Sequence, residues 1–180
     1  MLQTDLIKKC RQNDRTAQMA LYRKYCDGMF HVALRYVRHD ADAEDILQEA
    51  FIRAFSKLDQ YKGEVSFGAW LKRIVINKCI DFIKAKKELT VGLDEGFVHL
   101  ADDNDWEMET DVSMAEVHAS MEALPEKYRQ VVLLYLVEGY DHQEISQILG
   151  ISETACRTRL LRGKGKLKER LKEIVYGTGS

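Results

Sequence analysis

Residues 140–171 read "YDHQEISQILGISETACRTRLLRGKGKLKERL", and local rules alone are enough to fold them. Asp141 followed three residues later by Glu144 is a capping-box pattern, in which side chains satisfy backbone N–H groups that the first helical turn leaves without partners. Ile145, Ile148 and Leu149 then give a short helix its apolar face. Gly150 can take the positive φ of a tight turn, and Ser152 caps the helix that follows. That helix keeps Cys156, Leu160, Leu167, Leu171 and Ile174 on its buried side. Short helix, glycine turn and long basic helix make a helix-turn-helix.

A motif of this kind lays its second helix in the major groove, which calls for small polar and basic side chains near the amino end of that helix. Glu153, Thr154, Arg157 and Thr158 supply them, and Arg159, Arg162, Lys166 and Arg170 continue as a stripe suited to phosphate contact. A merely solvated basic helix is the bland alternative, and the turn and caps argue against it. Gly163 and Gly165 in "RGKGK" lower helix propensity by roughly 1 kcal/mol each, which predicts a loosened distal end.

The 180 residues suffice for one ordinary domain or two small ones. Hydrophobic residues at 46% and charged residues at 31% place the chain among water-soluble globular proteins. A net charge of -2 would argue against a nucleic-acid partner, but the sum conceals a partition along the chain. Leu89 to Pro125 holds ten acids and no Lys or Arg, whereas residues 157–172 hold eight Lys or Arg against one acid, Glu169. Residues 72–87 hold six against one, Asp81. The longest apolar run, "VVLLYLV", is far short of the ~20 residues a spanning helix needs, and the amino terminus lacks a signal-peptide pattern. A cytoplasmic protein without membrane insertion is expected. Cys10, Cys26, Cys79 and Cys156 form no C-x-x-C pair, so free thiols are expected, three of them on core faces, rather than a zinc cluster or disulfides.

With one proline and a dominant 3.6-residue period, the chain reads as all-α, in two small helical domains. Helices are expected over about 4–12, 16–38, 42–58 and 67–87, with Thr4, Asp14 or Thr16, Asp40 or Asp42, and Ser66 as caps. These fill a first domain, 1–88. Residues 89–112 form an acidic flexible linker that nevertheless carries Phe97, Leu100 and Trp106. The second domain, 113–180, opens on a capping box of Ser113 and Glu116, followed by Met114, Val117, Met121 and Leu124 on one face.

Two helices of the first domain have a face that a core does not explain. In "DAEDILQEAFIRAF", residues 42–55, Leu47, Ala50, Phe51, Ala54 and Phe55 point inward, while Asp45, Gln48, Glu49 and Ile52 share the other side, as a solvated face or a docking one. In "FGAWLKRIVINKCIDFIKAKK", residues 67–87, the core face is Leu71, Val75, Ile76, Cys79, Phe82 and Ile83. The opposite face carries Trp70, Arg73, Asn77, Lys84 and Lys87. An aromatic at the head of a basic stripe suits unpaired nucleic acid, where a base stacks and cations track the backbone, although an aromatic there is more often core.

Taken together, these stretches resemble the sigma factors of bacterial RNA polymerase, specifically the compact extracytoplasmic-function type with only regions 2 and 4. The first helix quoted above is similar to region 2.2, the second to regions 2.3 and 2.4, and "LPEKYRQVVLLYLVEGYDHQEISQILGIS" to the start of region 4. The resemblance implies that Asp45, Gln48 and Glu49, which match a D-x-x-Q-E pattern, bind the β′ clamp helices of core polymerase together with Ile52. It implies that Lys57, Tyr61 and Phe67 of the intervening loop, with Trp70, Arg73, Asn77 and Lys84, melt and read the minus-ten element. Glu153, Thr154, Arg157, Thr158, Arg159, Arg162 and Lys166 then read the minus-thirty-five element. Thr154 and Ala155 stand where the family commonly has a Gly-Thr pair.

The implied protein is a transcription initiation factor, not an enzyme, with no metal or cofactor. Its implied partners are core RNA polymerase and promoter DNA, with an anti-sigma factor as a further candidate. The linker acids, Asp102, Asp103, Asp105, Glu107, Glu109 and Asp111, resemble a nucleic-acid charge pattern and suit a basic polymerase channel, with Trp106 as anchor. Two other functions fit parts of the chain. One is a helix-turn-helix regulator that does not dock on polymerase; the other is a helical metal-dependent hydrolase built on His39, Asp40 and Asp42, which lacks a second histidine at ligand spacing.

Overall fold

A computed structural model describes residues 3–88 and 112–177. Among them are eight α-helices and no strand, grouped into two compact units. The linker readings at Phe97, Leu100, Trp106 and the six acids lie outside the described residues.

The first unit consists of α1 (Gln3–Arg11), α2 (Arg15–Val37), α3 (Asp40–Ser56), a 3-10 turn at Leu58–Gln60 and α4 (Phe67–Glu88). Helices α2, α3 and α4 pack against one another, and α1 lies on α2 and the 3-10 turn. Their inward faces meet in one core of Leu21, Val32 and Tyr36 from α2, Leu47 and Phe51 from α3, and Leu71, Val75, Ile76, Cys79 and Ile80 from α4. Fully burying a side chain of this kind contributes about 1.5–3 kcal/mol. Ala33, Ala43, Ala50 and Ala54 are completely buried, and small residues at those positions let the helices approach closely.

The caps show which local rules govern. Asp14 accepts a hydrogen bond from the Ala17 N–H at 3.1 Å, and the Ser66 hydroxyl accepts one from the Ala69 N–H at 3.2 Å. Thr4 does not cap, because α1 already includes Gln3. Neither does Asp40 or Asp42: the position before α3 is His39, in extended backbone, and both aspartates sit in the first turn, where negative charge complements the helix dipole. Helix α3 also stops before residue 58, and the chain tightens into the 3-10 turn with Leu58 buried. At the far end of α4, Phe82 is only half-buried beneath the Lys86 ammonium, 5.7 Å from its ring, and Ile83 is half-buried too; Ile80 takes the core position.

The second unit consists of α5 (Met114–Glu122), α6 (Glu126–Val132), which runs on as a π-helical segment over Leu133–Val137, α7 (His142–Leu149) and α8 (Glu153–Gly177). Helix α8 packs on α5, α6 and α7. Both capping boxes form: Ser113 with Glu116, and Asp141 with Glu144. The Ser113 hydroxyl and backbone N–H hold the Glu116 carboxyl below its usual range. Its folded pKa is depressed, so the cap stabilises above the unfolded value and weakens as pH falls through the folded one. The core is entered at the last turn of α5 by Ser120 and Met121 and, just past its end, by Leu124; Met114 is exposed and Val117 half-buried, so the expected four-residue face is short by its first turn. The Arg129 side chain is fully buried, with Nη2 donating to both carboxylate oxygens of Glu126 at 3.0 and 2.9 Å.

Gly150 ends α7 at φ 65°, as the turn requires. Gly163 is different from the weak point its propensity suggests. It is buried in an unbroken α8, and a Cβ there would lie 2.6 Å from Val132 Cγ2 and 3.4 Å from Tyr128 Cβ. The glycine is where α8 crosses α6. Gly165, two residues on, faces open space.

Gly163→Ala should therefore destabilise the second unit by ~1–3 kcal/mol through overpacking, in spite of the helix propensity it adds. Val132→Ala should restore part of the loss. Gly165→Ala should stabilise by about 0.5–1 kcal/mol. Thermal melts followed by circular dichroism decide it: an unchanged or raised melting temperature for Gly163→Ala would leave Gly163 without a packing role.

Candidate docking and nucleic-acid interfaces

The core on one side of α3 places Asp45, Gln48, Glu49 and Ile52 together on the other, all exposed. Ile52 is 70% exposed, a large apolar side chain set among polar ones. Glu49 is engaged by α4, its Oε2 accepting from Lys78 Nζ at 2.9 Å. A shallow groove beside this pair is lined by Glu49, Ile52, Arg53, Ser56, Lys57 and Lys78. Lys57 thus belongs beside the α3 face rather than with the loop aromatics, because its backbone N–H still bonds to Arg53 and Ala54 as the C-cap of α3.

The loop after the 3-10 turn leads to an aromatic cluster. Tyr61, Phe67 and Trp70 lie with ring centroids 5.3–5.6 Å apart. Phe67, expected in the DNA-facing loop, is buried at 1% exposure and forms the floor of the cluster, while Tyr61 and Trp70 remain half-buried above it. Its place in the first turn of α4, facing α2, accounts for this: Tyr25 of α2 packs on it at 5.4 Å. Tyr25 is a member that sequence reasoning missed. Gly68 admits it, since a Cβ there would come within 3.0 Å of the Tyr25 ring. The loop is closed by the Tyr61 hydroxyl donating to the Val65 carbonyl at 2.8 Å, with Gly63 at φ 80° between them. Along α4 from Trp70, Arg73, Asn77 and Lys84 are all exposed on the same helix face.

At the amino end of α8, Glu153, Thr154 and Arg157 are exposed, with Glu153 and Arg157 3.7 Å apart. Thr158 and Arg159 are half-buried, and the Thr158 hydroxyl donates to the Thr154 carbonyl at 2.9 Å, so the helix backbone already uses that group. The turn is braced by His142, whose ring stacks on Tyr135 at 5.1 Å and whose Nδ1 lies 3.5 Å from Cys156 Sγ. Further along, the basic stripe folds onto α6. Lys166 Nζ lies 5.9 Å from the Tyr128 ring centre, and Lys164 Nζ lies 5.3 Å from that of Tyr135. Burial pushes the Tyr128 hydroxyl up, but hydrogen bonds from Arg162 and Lys127 outweigh it and bring its pKa below the ordinary value. Arg162, expected at phosphate, is therefore also a structural partner of Tyr128.

The residues behind the hydrolase reading are differently occupied. His39 Nδ1 lies 3.8 Å from Asp42 Oδ2, and the same oxygen faces Lys86 Nζ at 3.9 Å. Among the described residues no group of three or more His, Cys, Asp or Glu could hold a metal ion, and no helix is long and apolar enough to cross a membrane. All four cysteines are free; Cys10, Cys79 and Cys156 are buried, and burial pushes the Cys79 thiol up to about 12.

Family models agree with this division. Sigma-70 region 2 matches residues 21–88, and Sigma-70, region 4 matches residues 114–167. ECF RNA polymerase sigma factor SigW of Bacillus subtilis is 30% identical over 179 residues, covering 93% of this chain and 96% of SigW. ECF RNA polymerase sigma factor SigE of Mycolicibacterium smegmatis is 31% identical over 155 residues, covering 84% of this chain and 60% of SigE. The fold is similar to that of the sigma factor RpoE, solved in complex with the anti-sigma factor NepR from Bartonella quintana, with a TM-score of 0.56 at 18% identity over 86% of this chain and 96% of RpoE. On the near full-length match to SigW and the two region matches, the chain belongs to the extracytoplasmic-function sigma factors of the sigma-70 family, which direct RNA polymerase to promoters.

Proposed function

We propose that the chain docks on core polymerase through Asp45, Gln48, Glu49 and Ile52, and opens promoters with Tyr61, Trp70, Arg73, Asn77 and Lys84. The minus-thirty-five element is read by the amino end of α8. The α3 face carries the proposal: one wall of the helix is buried, while the other exposes Ile52 at the end of a polar row that begins with Asp45, Gln48 and Glu49. An apolar anchor beside polar groups suits a helical partner bearing Arg forks. The Glu49–Lys78 pair is no obstacle, since an exposed ion pair contributes only about 0.2–1 kcal/mol and can exchange for a better cation.

In this assignment Phe67 supports the loop aromatics without meeting DNA, and Lys57 belongs to the edge of the docking groove. Glu153, Thr154 and Arg157 reach base edges, with Thr158 beside them, while Arg159, Arg162 and Lys166 serve the phosphate backbone. The chain works by binding, as a cytoplasmic initiation factor and not as an enzyme. An anti-sigma factor accompanies RpoE in its solved complex, which makes a protein of that kind a candidate partner here.

Gln48→Ala combined with Glu49→Arg should abolish co-purification with core polymerase while helical content by circular dichroism stays unchanged. Wild-type affinity in a folded double variant would reduce the α3 face to a solvated surface.

On DNA, Arg157→Ala should cost ~1–3 kcal/mol and relax discrimination at one upstream base pair, whereas Lys166→Ala should weaken all sequences evenly. Binding to a set of single-base promoter variants distinguishes them. Equal, sequence-independent losses would remove the base-reading role of Arg157.

A further inference from the structure

Helix α1 lies before the residues matched by region 2, yet it holds the aromatic cluster at two points. At its amino end, Gln3 Nε2 donates to the Tyr25 hydroxyl at 2.8 Å, and Lys24 Nζ donates back to Gln3 Oε1 at 3.1 Å. At its carboxyl end, Arg11 Nη2 donates to the Tyr61 carbonyl at 2.6 Å and Nε to the Leu58 carbonyl at 3.4 Å. Tyr25 and Tyr61 each pack on Phe67, at 5.4 and 5.6 Å, so the two grips act on rings either side of the buried floor. Ile7 and Cys10 are buried and seat the helix between those grips.

Leu58 and Tyr61 bracket the 3-10 turn, where the chain leaves α3 for the loop. A guanidinium is suited to this position because its planar fork can donate to two carbonyls at once, and each bond to a charged donor is stronger than a neutral one. The other hydrogen bonds on the loop, from the Tyr61 N–H to Leu58, from the Tyr61 hydroxyl to Val65 and at the Ser66 cap, lie within the segment itself or at its end, so Arg11 is the tie that reaches it from another helix.

We propose that α1 is a splint for promoter opening, with Arg11 as the positioning residue that fixes the backbone beneath Tyr61 and thereby presents the Tyr61 and Trp70 rings to the separated strand. This rests on the assignment of those two rings to opening. Arg11 itself touches no DNA in this role; it acts through the Leu58 and Tyr61 carbonyls.

The test uses full-length chain assembled with core polymerase and follows the rate of duplex opening by fluorescence of a base analogue in the minus-ten segment. Arg11→Ala should slow opening about tenfold, the scale expected for losing charge-assisted hydrogen bonds, with affinity for core polymerase and helical content unchanged. Arg11→Lys, which keeps the charge but cannot span both carbonyls as a fork, should recover only part of the rate. In the Arg11→Ala, Tyr61→Ala double variant the losses should not multiply, because Arg11 acts on both rings through the placement of Tyr61. Normal opening by Arg11→Ala, a loss of its helical content, or losses that multiply would each overturn the splint. Tyr61→Ala and Trp70→Ala opening duplex at the wild-type rate would instead overturn the role of the rings, a result separable from the behaviour of Arg11.

Discussion

Size constrains both units more than any single bond does. A small helical unit has one narrow core, so each long helix can bury a single face and must leave the opposite one in water. Helix α3 shows the consequence most clearly. Ala43, Ile46, Leu47, Ala50, Phe51 and Ala54 are buried, and half of them are alanines, which bring neighbouring helices near enough for the larger side chains to interlock. The face carrying Asp45, Gln48, Glu49 and Ile52 is the geometric remainder of that packing. It is held rigid because the buried face leaves α3 no freedom to rotate.

In the second unit, α6 sets the position of α8 by contacts of two kinds. Val132 meets Gly163 with no space between them. Tyr128 takes the Arg162 hydrogen bond and the Lys166 ammonium over its ring. Within α6 itself, Arg129 brings a guanidinium into the core, where a charge needs a carboxylate partner, and Glu126 supplies one through a two-oxygen contact. Anchoring the middle of α8 by its basic side chains sets them apart from the exposed Glu153, Thr154 and Arg157 at its amino end. Long cationic stems lie along aromatic rings while their heads remain near the surface, and at the amino end the Glu153 and Arg157 side chains, joined by a weak exposed pair, are free to change partner.

What could be read in advance follows the range of the interaction. The two capping boxes, the Gly150 turn, the Ser152 cap and the buried series Cys156, Leu160, Leu167 and Leu171 depend on neighbours three to seven residues apart and formed as the sequence suggests, while Ile174, expected to end that series, is only half-buried. Features that depend on distant partners were not legible. Gly163 looks like a helix weakness until Val132 is placed against it, and Phe67 looks like a loop aromatic until Tyr25 covers it. The π-helical widening at Leu133–Val137 has no residue signature of its own; it shows in the Glu138 N–H reaching back to the Leu133 carbonyl. Arg11 lies about fifty residues from the carbonyls it binds, and nothing in its local context distinguishes it from the other basic residues of α1.

The aromatic cluster is where stability and proposed function meet. Extruding a base from duplex DNA costs a few kcal/mol, and stacking it on a protein ring returns about 1–3 kcal/mol, so the exchange is nearly balanced before any other cost is counted. Ordering a mobile loop at the same moment would add roughly 1–2 kcal/mol for every residue fixed, enough to reverse the sign. The ties on this loop are made within the protein: the Tyr61 hydroxyl to Val65, the Ser66 cap, the Arg11 fork and the buried Phe67 floor. On the proposed assignment, folding has therefore already met the ordering cost when DNA arrives, and the interaction of the rings with an exposed base is left to act against unstacking alone.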